Sequence, residues 1–181
     1  MANVFVISDT HFHHAGILTF THDDGLHLRP EFNSVEEMDE YMVERWNSVV
    51  RDGDHVWHLG DVVMRPNTEK LKILARLQGH KRLVLGNHDS DRMNLYRPYF
   101  EKIAGIHMID HLLLSHVPVH PDSLGKATHN VHGHVHNNVP PLFYGPRYFN
   151  VSVEAIGYTP VSLEDLKLRI KKQEEEYDNA R

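Results

Sequence analysis

Five short clusters of acids, amides and imidazoles carry the chemistry of this chain: Asp9-Thr10-His11, Gly60-Asp61, Gly86-Asn87-His88-Asp89, Ser115-His116 and Gly133-His134-Val135-His136. Oxygen and nitrogen donors in this mixture suit divalent Mn, Fe, Zn, Ni or Co. Asp9 and His11 are two residues apart, so on extended backbone both side chains leave one face. Asp61 follows a glycine that admits close backbone approach, and its lone pairs are enough to contact two ions, making it the natural bridge. Asn87 offers a neutral amide oxygen where more negative charge would hold the ions too firmly. His116, His134 and His136 supply imidazoles, the last two again alternating by two. These ligands divide between two sites and leave room for water. Two ions about 3.5–4 Å apart can activate a bridging hydroxide and stabilise in-line displacement at phosphorus. Taken singly, Gly-Asp is a turn signal, and Gly-Asn-His-Asp fits a turn with a left-handed Asn. In this order, each after an apolar run, the clusters imply one metal-filled crevice at the carboxyl ends of a sheet.

The elements that must position them follow from the apolar pattern. Residues 3–8 read as a buried strand. Residues 13–33 form a long irregular stretch containing Gly16, Asp23-Asp24-Gly25 and Pro30, of a length that is commonly functional. Ser34 and Glu37 make a capping-box pair, and Val35, Met38, Met42, Trp46 and Val49 form the apolar stripe of a helix. A strand at 55–59 precedes a helix at about 68–77, which carries Leu71, Leu74 and Leu77 and stops at Gly79. Residues 81–85 form a third strand, and a short helical piece precedes Pro98. This alternation predicts parallel pairing in a layered α/β domain. Short strands follow at 106–109, 111–114, 130–135 and 148–154. Ser162 and Asp165 then open a last amphipathic helix, charged near 171–176. No internal repeat or linker interrupts the chain, so residues 1–181 are expected to form one domain with two sheet halves.

A chain with 40% hydrophobic and 24% charged residues is that of an ordinary soluble globular domain. The net charge of -6 gives no electrostatic drive toward non-specific duplex nucleic acid, and no basic stripe or aromatic platform suits a processive nuclease. No cysteine is present, so thiolate chemistry is excluded. The N-terminus runs directly into a strand and no apolar run reaches membrane-spanning length, so a cytoplasmic location without a membrane partner is expected. Of seventeen histidines, His22, His27, His55, His80, His107, His111, His120 and His129 have no companion at a telling spacing and read as structural.

The ordered blocks D-x-H, G-D, G-N-H-D/E, H and G-H-x-H, between residues 9 and 136, resemble the pattern of the calcineurin-like metallophosphoesterases. Ser8-Asp9-Thr10-His11-Phe12-His13-His14 and Asn150-Val151-Ser152-Val153 resemble the small bacterial and phage branch. The resemblance implies a four-layer α-β-β-α sandwich of two mixed sheets flanked by helices. It implies two divalent ions, Mn first among the candidates. Asp9, His11, Asp61 and His136 would hold one ion, and Asp61, Asn87, His116 and His134 the other. It also implies that His88 contacts the phosphoryl group and protonates the leaving oxygen, a task that suits an imidazole; Asp61 and Asn87 complete the catalytic set. In several branches an acceptor three residues after the Gly-Asp aspartate orients that histidine, whereas here the position is Met64. Asp89 is either its substitute or a turn residue.

Arg65 stands where the protein-phosphatase branch places an arginine on the phosphate, a bidentate contact. Met64 breaks that branch's signature, and a surface arginine before Pro66 is the other reading. Arg147 is a second candidate for substrate binding. His14 is expected at the mouth of the site, with His13 pointing away by alternation, and His132 is read as structural. Phe20, His22, Arg29, His120 and Lys126 lie on loops within reach of the metals and read as ordinary loop residues. The activity implied is hydrolysis of a phosphomonoester or phosphodiester, with nucleotides among the candidate substrates. The competing readings are a non-catalytic scaffold that retains the fold for partner recognition, and simple metal buffering. Retention of every ligand and of His88 favours the enzyme.

Overall fold

Val4–Ile7 forms β1, buried except at its first residue, and a strand so apolar needs both faces covered. The computed structural model describes residues 2–22, 25–137 and 145–179; Asp23 and Asp24 of the irregular stretch lie outside the described residues. After β1 come α1 (Val35–Val49), β2 (His55–His58), β3 (His80–Val84), α2 (Met93–Tyr96), β4 (Lys102–Ala104), β5 (Ile106–Ile109) and β6 (Leu112–Ser115). They are followed by β7 (His129–His132), β8 (Tyr148–Asn150), β9 (Val161–Ser162) and α3 (Leu163–Asn179). One sheet has the order β4-β3-β2-β1-β9, parallel except for β9. The other has the order β5-β6-β7-β8, parallel except for β5. Two mixed sheets with flanking helices make the α/β sandwich expected from the sequence. Among the described residues, no helix is long and apolar enough to cross a membrane.

The two sheets meet where β1 and β8 end. Ser8 N donates to Val151 O at 2.9 Å and Val153 N to Ser8 O at 3.1 Å. This junction brings the loops after β1, β2, β3, β6 and β7 into one crevice. Local chemistry fixes the supporting elements. Ser34 Oγ accepts from Glu37 N at 3.1 Å and starts α1, whose Met38, Met42 and Trp46 enter the main core. Along β6, Leu112 and Leu114 face the main core while Leu113 joins a smaller one with Leu124, Ala127 and Tyr148. That two-sided burial explains its unbroken leucine run.

Three expectations differ in detail. The helix expected at 68–77 is a 3-10 helix, Lys70–Arg76. Leu71, Leu74 and Leu77 are all buried and recur every three residues, which is the 3-10 period rather than the α period. The strand expected at 148–154 stops at Asn150, whose Oδ1 accepts from Ser152 N at 3.0 Å and Ser152 Oγ at 2.8 Å and turns the chain. The strand expected at 130–135 ends at His132, before the left-handed residue His134.

Candidate metal centre

Asp9, His11, Asp61, His134 and His136 have φ of 59°, 47°, 55°, 71° and 49°. The left-handed region is costly for side-chain-bearing residues and persists only where the surroundings over-determine it. The convergence of these side chains therefore does not come from extended backbone, as their two-residue spacing suggests. It comes from loops held in strained turns. Asp9 N donates to Gly60 O and His11 N to Asp61 O, each at 3.0 Å, which prolongs the β1–β2 pairing through both loops.

The side chains fall into two groups, Asp9 with His11 and His136, and Asp61 with His116 and His134, with the ligand atoms of each group within 4.8 Å of one another. Asp61 lies between them. Its Oδ1 accepts from His88 N at 3.0 Å, while Oδ2 is 3.6 Å from His11 Nε2 and 3.5 Å from His116 Nε2. Asn87 Oδ1 is 3.0 Å from His116 Nε2, adding an amide oxygen to the second group. Asp9 Oδ2 accepts from His134 N at 2.9 Å and Ser152 Oγ at 3.1 Å, but its buried Oδ1 has no hydrogen-bond partner among the described residues, and neither ring nitrogen of His11 has one. Buried polar atoms without partners are costly, and cations would satisfy these. The donor set fits the two expected ions.

The electrostatics suit the same purpose. Burial raises the Asp9 carboxyl, against the pull of His116 and His136. Burial also holds His11 well below the ordinary imidazole range. For Asp61, burial works upward, but the hydrogen bond and charge of His116, with His11, hold the carboxyl well below the carboxylate range. For His116, burial works downward, yet the Asp61 hydrogen bond and the Asp9 and Asp61 charges push it up to about 9. The two carboxylates thus favour the protonated ring in the ion-free chain, and a cation would displace that proton.

Support for the first group comes from two residues whose roles the sequence hid. Glu154 Oε1 accepts from His136 Nδ1 at 2.9 Å and from Arg29 Nε at 2.7 Å. This assigns the His136 hydrogen to Nδ1 and leaves Nε2 as the ligand atom. Burial would raise the Glu154 carboxyl, but Arg29 and His136 hold it at about 2. Arg29 is fully buried, and its guanidinium donates from Nη2 to Asp9 O at 2.7 Å and from Nη1 to Thr10 O at 3.0 Å. It clamps the ligand loop from beneath instead of reaching over it. The one available signal was an acid amid the small and apolar residues after Asn150, where a buried charge needs a partner.

Asp89 and His58 fasten the other loops. Asp89 accepts from Asp61 N at 2.7 Å, Val62 N at 3.2 Å and Gly86 N at 2.9 Å, so it ties two ligand loops together through their backbones. Gly60 N donates to His58 Nδ1 at 3.2 Å. His58 Nε2 therefore donates to Thr10 Oγ1 at 3.0 Å, and that hydroxyl donates to Val62 O at 2.8 Å. Two glycines allow this closeness. A Cβ on Gly86 would lie 2.2 Å from Asp61 Oδ1, and one on Gly133 would lie 2.0 Å from Ser8 Oγ and 2.1 Å from Asp9 Oδ2.

His88, with its side chain 45% exposed, stands at the rim with Nε2 3.9 Å from Asp61 Oδ2 and its ring 5.7 Å from that of His11. Below it a recess of about 120 Å³ is lined by His11, Asp61, Asn87, His134 and His136. His14 joins this mouth, with its ring 5.5 Å from His11 and edge-on to Phe20 at 5.4 Å. Burial, helped by Arg29, lowers its pKa to about 4, so the ring is neutral at neutral pH. His13 turns away to Asp39 at 2.9 Å and Lys70 O at 3.2 Å. His132 is buried, with Nδ1 3.0 Å from Gly133 O. Arg65 and Met64 line the larger cleft outside the recess. Arg147 is a correction: its Nε donates to Thr128 O at 2.9 Å and its Nη2 to Ala127 O at 3.2 Å. Those carbonyls precede β7, at the end of the strand away from His134, so this guanidinium is not brought to the crevice.

The chain matches no protein-family model. It is 35% identical, over 179 residues, to an uncharacterized protein of Methanocaldococcus jannaschii, covering 95% of this chain and 93% of that one. It is 28% identical to the gene 66 protein of Mycobacterium phage L5, over 76% of this chain and 79% of that one. A crystal structure of a protein of unknown function from Aquifex aeolicus superposes with a TM-score of 0.74 at 29% identity, covering 93% of this chain and 100% of that one. A predicted phosphoesterase from Streptococcus pneumoniae aligns over 86% of this chain and 73% of that one at 16% identity, with a TM-score of 0.33, a likeness too slight to argue from.

Proposed function

The chain belongs to the family of the uncharacterized Methanocaldococcus jannaschii protein, and we propose that it is a phosphoesterase that works with two divalent cations. The observation that carries this reading is the position of Asp61 Oδ2, about equally far from an imidazole of each ligand group. Asp9, His11, Asp61 and His136 would hold one cation, and Asp61, Asn87, His116 and His134 the other, with Mn²⁺ the first candidate. When bound, such a pair supplies a hydroxide nucleophile at neutral pH and neutralises charge developing on the phosphoryl oxygens.

The remaining work belongs to the chain. The recess would seat a phosphoryl group beside the cations and orient it against the ligand loops. His88, at its rim, donates a proton to the leaving oxygen, the step that otherwise leaves a poor anionic leaving group. Neutral His14 faces the same space and offers a hydrogen bond to the substrate. Asp89, Glu154 and Arg29 hold the loops whose strained turns aim the ligands. Both phosphomonoesters and phosphodiesters fit this arrangement, and nucleotide-sized substrates fit the cleft beyond it.

The test is hydrolysis of p-nitrophenyl phosphate and bis-p-nitrophenyl phosphate by chelator-stripped protein before and after Mn²⁺ is added. Turnover that returns with Mn²⁺ on either ester, and is lost in His88→Ala, is the expected result. Silence on both esters with the ions bound would overturn the proposal and favour the non-catalytic scaffold.

A further inference from the structure

His14, Phe20, Asn87 and His88 line both the recess and a neighbouring cleft of about 1070 Å³, so the two spaces are continuous. The recess suits one phosphoryl group, whereas the cleft is as large as pockets that hold whole small molecules, about 300–1,000 Å³. The charge of the cleft runs against that of the molecule. On a chain of net charge -6, Arg65, Lys70 and Arg92 line it beside a single carboxylate, Asp91. Lys70 Nζ donates to Met64 O at 2.8 Å and Arg92 Nη1 to Pro66 O at 3.3 Å. Both side chains are thereby tied to the short loop that carries Arg65, and their other side-chain N–H groups make no hydrogen bond or ion pair among the described residues. Arg65 makes none at all there, and its own φ of 48° places it in the same costly left-handed region as the ligands. Clustered cations in a cleft concentrate anions. Phe20, 51% exposed, adds an aromatic face.

We propose that the substrate carries a second phosphate beside the one that reacts, bound by Arg65, Lys70 and Arg92, with an aromatic body such as a nucleobase against Phe20 and His14. The substrate class is then a nucleoside-sized bisphosphate rather than a simple ester. This rests on the phosphoesterase reading and deepens it. Arg–phosphate pairs are charge-assisted and commonly bidentate, so losing them has a large effect on affinity.

The experiment compares two substrates of the Mn²⁺-loaded protein: the p-nitrophenyl ester of thymidine 5′-phosphate, and the same ester bearing a 3′-phosphate. The KM of the bisphosphate is expected to be lower by about tenfold or more, and that advantage should vanish in the Arg65→Gln, Arg92→Gln double variant. Both side chains are exposed, so the fold should survive the change, and a melting curve checks this. A second arm titrates thymidine 3′,5′-bisphosphate and thymidine 5′-phosphate into Mn²⁺-loaded His88→Ala protein by calorimetry. Equal KM values with hydrolysis intact would overturn the second-phosphate site and leave the phosphoesterase reading standing. An advantage that persists in the double variant would overturn the assignment to these arginines. Tighter bisphosphate binding, with neither ester hydrolysed by the loaded protein, would support the site and overturn the enzymatic reading.

Discussion

Oδ1 of Asp61 is engaged by the His88 N–H, and Oδ2 faces an imidazole of each ligand group, so this carboxylate touches both halves of the centre. The ligands around it were legible in the sequence because oxygen and imidazole donors follow apolar runs at each strand end. Glu154 was not, because it acts on Arg29 and His136 across long sequence separations with no local spacing to reveal it. Its role is nevertheless testable. Glu154→Gln keeps the size but removes the charge that faces Arg29, and it should weaken the first cation by about 10–100-fold. A competitive chelator titration measures this, and the second cation should be less affected. Equal loss at both groups would mean general disorder of the crevice rather than positioning of His136. The His88 imidazole is not one of the proposed cation ligands, and its backbone N–H, which reaches Asp61, survives truncation to alanine. His88→Ala should therefore lower turnover by about 10²–10⁴-fold while bound Mn²⁺ per chain, measured by elemental analysis, stays at the wild-type level.

The loops between elements carry more of the function than the elements themselves. Most strands were foreseen from apolar runs, but the short edge strands β4 and β9 were not, nor were the left-handed turns at Asp9, His11, Asp61, His134 and His136, because nothing in those residue types requires them. Only the long-range pairing of loop to loop does. Gly133 is the point at which this can be tested, since a methyl there meets Ser8 and Asp9 side chains. Gly133→Ala should cost about 1–3 kcal/mol of stability through overpacking and weaken the first cation site. Denaturation and metal titration on the same sample read both effects. The Ser34 cap of α1 provides the contrast. Ser34→Ala should cost about 1 kcal/mol, yet metal affinity should not change. The helix after β2 was legible from its leucines, and the interval of three between Leu71, Leu74 and Leu77 is what distinguishes its 3-10 winding from an α-helix.

At the scale of the molecule, two sheets meet where β1 and β8 end, and the meeting point holds several buried histidines, among which burial keeps His11 and His58 unprotonated. Burial lowers His58 from its ordinary 6.5 to about 3, although the nearby Asp61 charge works the other way. Between those values the unfolded chain binds a proton that the folded chain does not. Stability from this group is complete above pH 6.5 and is lost as pH falls toward 3, at about 1.4 kcal/mol per pH unit. Urea denaturation of chelator-stripped protein across that range should show the decline, with a shallower slope in His58→Gln; an unchanged slope would mean that His58 is not the group responsible. The layered α/β arrangement was readable from the order of apolar runs, while the cleft beside the recess was not, because Arg65, Lys70 and Arg92 meet only in the folded chain. The most direct measurement adds Mn²⁺ stepwise to the stripped protein and records bound ion and ester hydrolysis together. Turnover should rise with the second ion bound per chain, and Asp61→Asn should fail to retain both. Full turnover with a single ion per chain, or two bound ions in Asp61→Asn at wild-type affinity, would contradict a shared two-cation centre built on Asp61.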